Sequence, residues 1–129
     1  MQTLDQQYAA SAYEQVLPIK EEKEEDYKKY GAMAHKLPIL IHTAGLVQAL
    51  EFVNSRGKPI QKLLLEHLAI TIGLRDAETL LQTVKQAPLS GYVRLTRQVL
   101  AALLWYKRFA QSILDVDVTE AIGEDRADQ

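Results

Sequence analysis

Cysteine is missing from all 129 residues, which excludes disulfides and thiolate metal sites and makes no demand for an oxidising compartment. Long apolar runs are missing too. No stretch reaches the roughly 20 residues that cross a bilayer, and the polar start MQTLDQQYAASAYEQ lacks the basic residues and apolar core of a secretory signal, so the expectation is a cytoplasmic protein with no membrane partner. No segment alternates apolar and polar at period two, as a half-buried strand would. There is no glycine-rich phosphate loop and no serine elbow. The three histidines, His35, His42 and His67, have no carboxylate or further histidine at metal-ligand spacing. Glu66 beside His67 lacks the second histidine of a zinc-protease helix, and the nearest arginine upstream of His67 is Arg56, too far to match the arginine–histidine pair of helical ribonucleases. These absences argue against an enzyme and predict no catalytic residue, no metal, no cofactor and no small-molecule substrate.

What is present suits one helical domain. Hydrophobic residues make up 47% and charged residues 25%, enough apolar mass for a real core. The net charge of −2 hides a division along the chain. Glu21, Glu22, Glu24, Glu25 and Asp26 form one acidic cluster and Asp115, Asp117, Glu120, Glu124, Asp125 and Asp128 another, so the middle is basic. From Tyr27 to Leu114 there are twelve Lys and Arg against four acids, a local net of +8. A positive body with acidic ends suggests a polyanionic partner, although lysines that merely solubilise helices produce the same count. The first acidic cluster lacks the fixed spacing and turn glycine of a calcium loop and reads as a solvated face.

Thr3 and Gln6 have the form of a capping box, and Leu4, Tyr8, Ala12 and Val16 recur at helical spacing, which predicts a first helix over about Leu4 to Leu17 ended by Pro18. The charged stretch Lys20 to Lys29 is expected to be helical. The most apolar segment, LPILIHTAGLVQALEFV from Leu37 to Val53, predicts a buried helix from about Tyr30 to Asn54, kinked or broken at Pro38, with Leu40, Ile41, Ala44, Val47, Leu50 and Phe52 wrapping its surface. Gly45 in its middle costs about 1 kcal/mol relative to alanine, a cost that close approach of another helix would offset. Gly57 suits a left-handed cap. Pro59 starts a helix that Gly73 ends, Asp76 caps a short one through Val84, and Ser90 caps a long one over Tyr92 to Leu114. The sum is an all-α protein, a single compact bundle of five or six helices over residues 1–114, followed by an acidic, disordered tail over 115–129.

Two features could touch nucleic acid. His67 to Lys85 has the helix, glycine turn and second helix of a helix-turn-helix, but the leading residues of its second helix, Asp76 and Glu78, would repel phosphates. The last helix is better suited. At 100° per residue, Arg94, Arg97, Ala101, Trp105, Arg108 and Ser112 share a stripe, and arginines flanking an indole suit single-stranded nucleic acid. For Trp105 itself burial is the preferred reading, and the arginine stems could then be laid over the core.

The order KLPILIHTAGLVQALEF (Lys36 to Phe52), a leucine-rich helix, then YVRLTRQVLAALLWYKRFAQSIL (Tyr92 to Leu114) resembles the small α-helical Cmr subunit of type III-B CRISPR effector complexes. The matched features are the Lys-x-Leu-Pro start, the Gly-Leu followed by Ala-Leu-x-Phe, and the closing Leu-Thr with Trp-x-Lys-Arg-Phe-Ala. Together they cover most of residues 8 to 114. Ala44 and Tyr106 depart from the family pattern, where asparagine and leucine are expected. The resemblance implies a non-catalytic building block of an RNA-guided antiviral complex. Copies of such a subunit stack into an inner filament beside the backbone and large subunits and help line the channel for CRISPR RNA and target RNA. Residue by residue, Lys36 matches the lysine of the Lys-x-Leu-Pro start, and Lys107 with Arg108 the basic pair after the tryptophan. Charge and helical geometry add Arg94, Arg97, Arg56, Lys58 and Lys62 as phosphate contacts that read no bases. The competing reading is an all-helical adaptor that makes only protein contacts.

Overall fold

Thr3 begins the first helix through a reciprocal cap: its hydroxyl accepts from the Gln6 N–H at 3.1 Å, and the Gln6 side chain accepts from the Thr3 N–H at 2.8 Å. In the computed structural model, which describes residues 1–119, α1 spans Leu4–Val16 and Pro18 sets a 3-10 turn over Leu17–Glu21. The helical expectation for Lys20 to Lys29 is met in two pieces, this turn and the start of α2. There follow α2 (Glu24–Ala44), α3 (Leu46–Arg56), α4 (Pro59–Thr71), α5 (Ala77–Gln86) and α6 (Leu89–Ser112). Among the described residues there is no strand, and the molecule is an all-α bundle. The two longest helices, α2 and α6, pack on each other; α1 lies against α6 and α4, α3 packs on α2, α4 and α5, and α5 on α4. Among the described residues no helix is long and apolar enough to cross a membrane. Ser90 caps nothing, because α6 starts one residue earlier, after Pro88.

The apolar segment does not break at Pro38. α2 runs through it with Leu37 and Ile41 buried on either side, so packing outweighs the one backbone donor that proline removes. The break falls at Gly45, whose φ of 92° and ψ of 161° lie in a region essentially confined to glycine. The Gly45 N–H still closes α2 onto the Ile41 carbonyl at 2.9 Å, and its own carbonyl starts α3 by accepting from Ala49 at 3.0 Å. One expected helix is therefore two, joined by a single residue. No helix crowds this glycine: a Cβ there would meet only the Tyr92 hydroxyl, at 3.5 Å. That hydroxyl accepts from the Val47 N–H at 3.2 Å, satisfying a first-turn donor of α3 that has no side-chain cap. The break also resets the helical phase. Leu46, Ala49, Leu50 and Val53 are buried, whereas Ala44 and Phe52 are exposed. Gly45→Ala should lower the unfolding free energy by about 1–3 kcal/mol through backbone strain alone, measured by urea denaturation; a change of only a few tenths would show that the junction relaxes freely. Gly57, expected to be left-handed, is instead extended at φ −68° and ψ 149°, while Gly73, at φ 92°, follows α4 as expected.

Close approach that requires glycine does occur, at Gly31 in α2, where a Cβ would come within 2.8 Å of the Val116 side chain. The packed chain thus continues past Leu114. Val116 is fully buried, its N–H donates to the Ala110 carbonyl at 2.9 Å, and its carbonyl accepts from His35 Nε2 at 2.7 Å. Asp115 makes the turn with φ 59°. The start of the expected tail is therefore part of the core, and the disorder expected for 120–129 falls outside the described residues.

A chain of hydroxyls crosses the core. The Tyr106 O–H donates to the His67 carbonyl at 3.1 Å. With that proton committed, Thr71 Oγ1 must be the donor in its 2.7 Å bond to Tyr106, and Ser11 Oγ the donor in its 2.7 Å bond to Thr71. Tyr30 Oη lies 2.6 Å from His67 Nδ1. Burial holds the Tyr30 phenol well above its ordinary range, so it is the donor and His67 the acceptor. Side chains of α1, α2, α4 and α6 are tied at one buried point.

Candidate nucleic-acid interface

α6 buries Val99, Ala102, Leu103, Tyr106 and Ala110, a spacing that fixes one face on the core and turns the opposite one outward. On that outward face Arg94, Arg97, Ala101 and Arg108 are all exposed. Among the described residues neither Arg94 nor Arg97 is ion-paired with a carboxylate, so both keep their charge open to an incoming anion. The face is bordered by exposed Leu89, Val93 and Leu104.

Trp105 is half-buried and committed. Its indole N–H donates to Asp5 Oδ1 at 2.9 Å, its ring lies 6.0 Å from Phe109, and the Arg108 guanidinium stacks on it at 4.6 Å. Phe109 in turn meets Tyr13 of α1 edge-on at 5.7 Å. In this arrangement the indole fastens α1 to α6, and the ring face that a base would need is covered by Arg108.

The eight cations singled out from the sequence are not brought into one stripe. Arg94, Arg97 and Arg108 share the outward face of α6, while Lys107, half-buried, lies 100° round the helix from Arg108. Arg56 at the end of α3, Lys58 before α4 and Lys62 on it form a second group on other elements. A cleft of about 440 Å³ beside this group is lined by Lys29, Lys58, Pro59, Ile60 and Leu63, but also by Glu22 and Asp26, whose carboxylates weaken its pull on a phosphate. Lys36 stands apart on α2, half-buried, with its ammonium 5.9 Å from the Phe52 ring.

Other contacts are illegible locally. Asp5 and Trp105 are 100 positions apart, and His35 and Val116 81 apart; no spacing rule links them. Because α2 is continuous, His35 and His42 do share a face, but His35 is taken by the Val116 carbonyl. No group of three or more metal-ligating side chains occurs among the described residues. In the would-be helix-turn-helix, Asp76 caps α5 by accepting from the Thr79 N–H at 2.8 Å, and its bonds to Thr79 hold its carboxyl below the ordinary range, keeping an anion where DNA would approach.

Fold and surface together define a small all-helical protein whose distinctive chemistry lies on a charged helix face. The family model of the CRISPR-associated protein Cas_Cmr5 matches residues 4–113. The CRISPR system Cmr subunit Cmr5 of Thermus thermophilus is 47% identical over 115 residues, 89% of this chain and 99% of that protein. The X-ray crystal structure of a CRISPR-associated Cmr5 family protein, also from Thermus thermophilus, superposes with a TM-score of 0.80 at 46% identity, covering 88% of this chain and 98% of the other. This chain belongs to the Cmr5 family.

Proposed function

We propose that this protein is a non-catalytic small subunit of a type III-B Cmr ribonucleoprotein. In that role it stacks with copies of itself beside the backbone and large subunits in the cytoplasm and contacts CRISPR RNA or target RNA during antiviral defence. The observation that carries the RNA contact is the outward row on α6, where Arg94 and Arg97 are exposed without carboxylate partners and Arg108 is held in register by its stack on Trp105. Cations fixed on a helix face track phosphates without reading bases. Lys107 is a secondary contact at its margin, Lys36 a separate contact on α2, and Arg56, Lys58 and Lys62 a weaker site in which Lys58 lies beside Glu22 and Asp26.

The test is RNA binding by the assembled complex across a salt series. Changing Arg94 and Arg97 to alanine should weaken binding and flatten the salt dependence by about 0.7 in log–log slope for each phosphate that is no longer neutralised. An unchanged affinity and slope would sink the assignment for these two residues. A second reading, a protein-only adaptor, is favoured by the apolar border of the same face, where Leu89 is 80% exposed. It predicts that Leu89→Asp with Val93→Asp abolishes incorporation into the complex while the arginine changes leave RNA affinity untouched.

A further inference from the structure

The face of Trp105 is closed to a nucleobase, but the group that closes it is itself a stacking surface. A guanidinium is planar, and bases stack on its plane as they do on an aromatic ring. One side of the Arg108 guanidinium lies on the indole, 4.6 Å from the ring centre, while Arg108 as a whole is exposed. The plane is held as well as open. The indole beneath it is fixed at its edge, where the N–H donates to Asp5 at 2.9 Å, and it packs 6.0 Å from Phe109. Among the described residues no carboxylate forms an ion pair with Arg108, Asp5 included, so neither its charge nor its outer side is used within the molecule. A free arginine side chain would lose rotamer entropy on ordering against a ligand; at Arg108 much of that loss has already been taken in the stack on Trp105.

The surroundings decide which ligand the plane suits. α6 carries Arg94, Arg97, Lys107 and Arg108 and no acid. Between Arg97 and Arg108, about 16 Å apart along the axis, the outward face presents the small Ala101 and the apolar Leu104, both exposed. A short uncharged shelf therefore separates two free cations from the stacked guanidinium. An acidic peptide would find charge at both ends of this shelf and use none of its flatness. A single-stranded polynucleotide uses both, with phosphates for the cations and a base for the plane.

We propose that the outer side of the Arg108 guanidinium, backed by Trp105, is a stacking platform for one unpaired base of single-stranded RNA, with Arg94 and Arg97 on the neighbouring phosphates. This rests on the RNA-binding reading above and gives Arg108 a role apart from the other cations: its shape matters as well as its charge. Every base has a flat face, so the platform tolerates any sequence. A base inside a duplex is already stacked on both sides, so the platform favours single strands.

The test uses the full chain, an oligoadenylate, and a strand of equal length that carries abasic sugars. The parent should bind the oligoadenylate about five-fold or more tightly over the abasic strand, the lower end of what one stacked base contributes. Arg108→Lys keeps the charge and removes the plane; it should erase that preference while leaving the abasic affinity and the salt slope unchanged. Arg94→Ala with Arg97→Ala should weaken both strands alike and keep the preference. Equal binding of the two strands by the parent overturns the platform and leaves the phosphate contacts standing. A preference that survives Arg108→Lys overturns the assignment to Arg108, and binding of neither strand defeats the platform and the RNA reading together. An oligoglutamate of the same charge that binds the parent more tightly than the oligoadenylate does would mark the face as a protein contact and overturn the proposal as well.

Discussion

Tyr106→Ala should lower the unfolding free energy by about 3–5 kcal/mol, the range for removing a buried aromatic, in a domain whose whole stability is on the order of 5–15 kcal/mol. The ring is fully buried, so truncation opens a cavity between α6 and α4. The hydroxyl adds a separate loss. It donates to the His67 carbonyl and accepts from Thr71, and removing it leaves both groups short of a partner in the buried core. Tyr106→Phe should therefore cost about 1–3 kcal/mol. Urea unfolding followed by the fluorescence of Trp105, the one tryptophan in the chain, measures both. A Tyr106→Phe protein as stable as the parent would mean that the hydroxyl chain contributes nothing net. The family pattern expects leucine at this position, so Tyr106→Leu should fall between the two.

Stability should drop by about 3 kcal/mol as pH falls from about 6.5 to about 4. Burial holds the His67 imidazole down to about 4, against an ordinary value near 6.5. Between those limits the unfolded chain binds a proton that the folded chain refuses, so acid favours unfolding. The contribution is fully present above about 6.5 and spent below about 4. Geometry agrees with the sign: Nδ1 already accepts from Tyr30 at 2.6 Å, and a proton there would turn an acceptor into a donor facing a phenol that must then rotate. Denaturation curves at several pH values should show the slope in the parent and its loss in His67→Gln, which is less stable at neutral pH but flatter. If both proteins keep the same slope in this window, another group carries it.

The helix starts are legible in the sequence because they depend on side chains within a turn of the boundary. Thr3 with Gln6, Pro59 and Asp76 each supplies or excuses a backbone donor that the first turn leaves open, and each helix begins where those residues stand. Pro38 misleads because its cost is local while its compensation, the burial of Leu37 and Ile41, is tertiary. Gly45 reads as a packing glycine when its use is a backbone angle, which no neighbouring residue type announces. The same misreading places Phe52 inside, since a single helix carries one phase and two helices carry two. At the surface, helical spacing finds the outward row on α6 but cannot tell that Glu22 and Asp26 fold back beside Lys58. Only long-range contacts decide such matters, and the pairings of Asp5 with Trp105 and of His35 with Val116 belong to that kind.

The packing of α1 on α6 joins the first and last of the helices described above. A growing chain leaving the ribosome exposes the apolar side of α1, with Tyr8, Ala12 and Val16, long before Tyr106 and Phe109 have been made. Final closure of the core must therefore wait until α6 has been made, and until then α1 is open to chaperones and to other nascent chains. Shortening the chain from its C-terminal side into α6 would accordingly uncover the opposite end of the molecule.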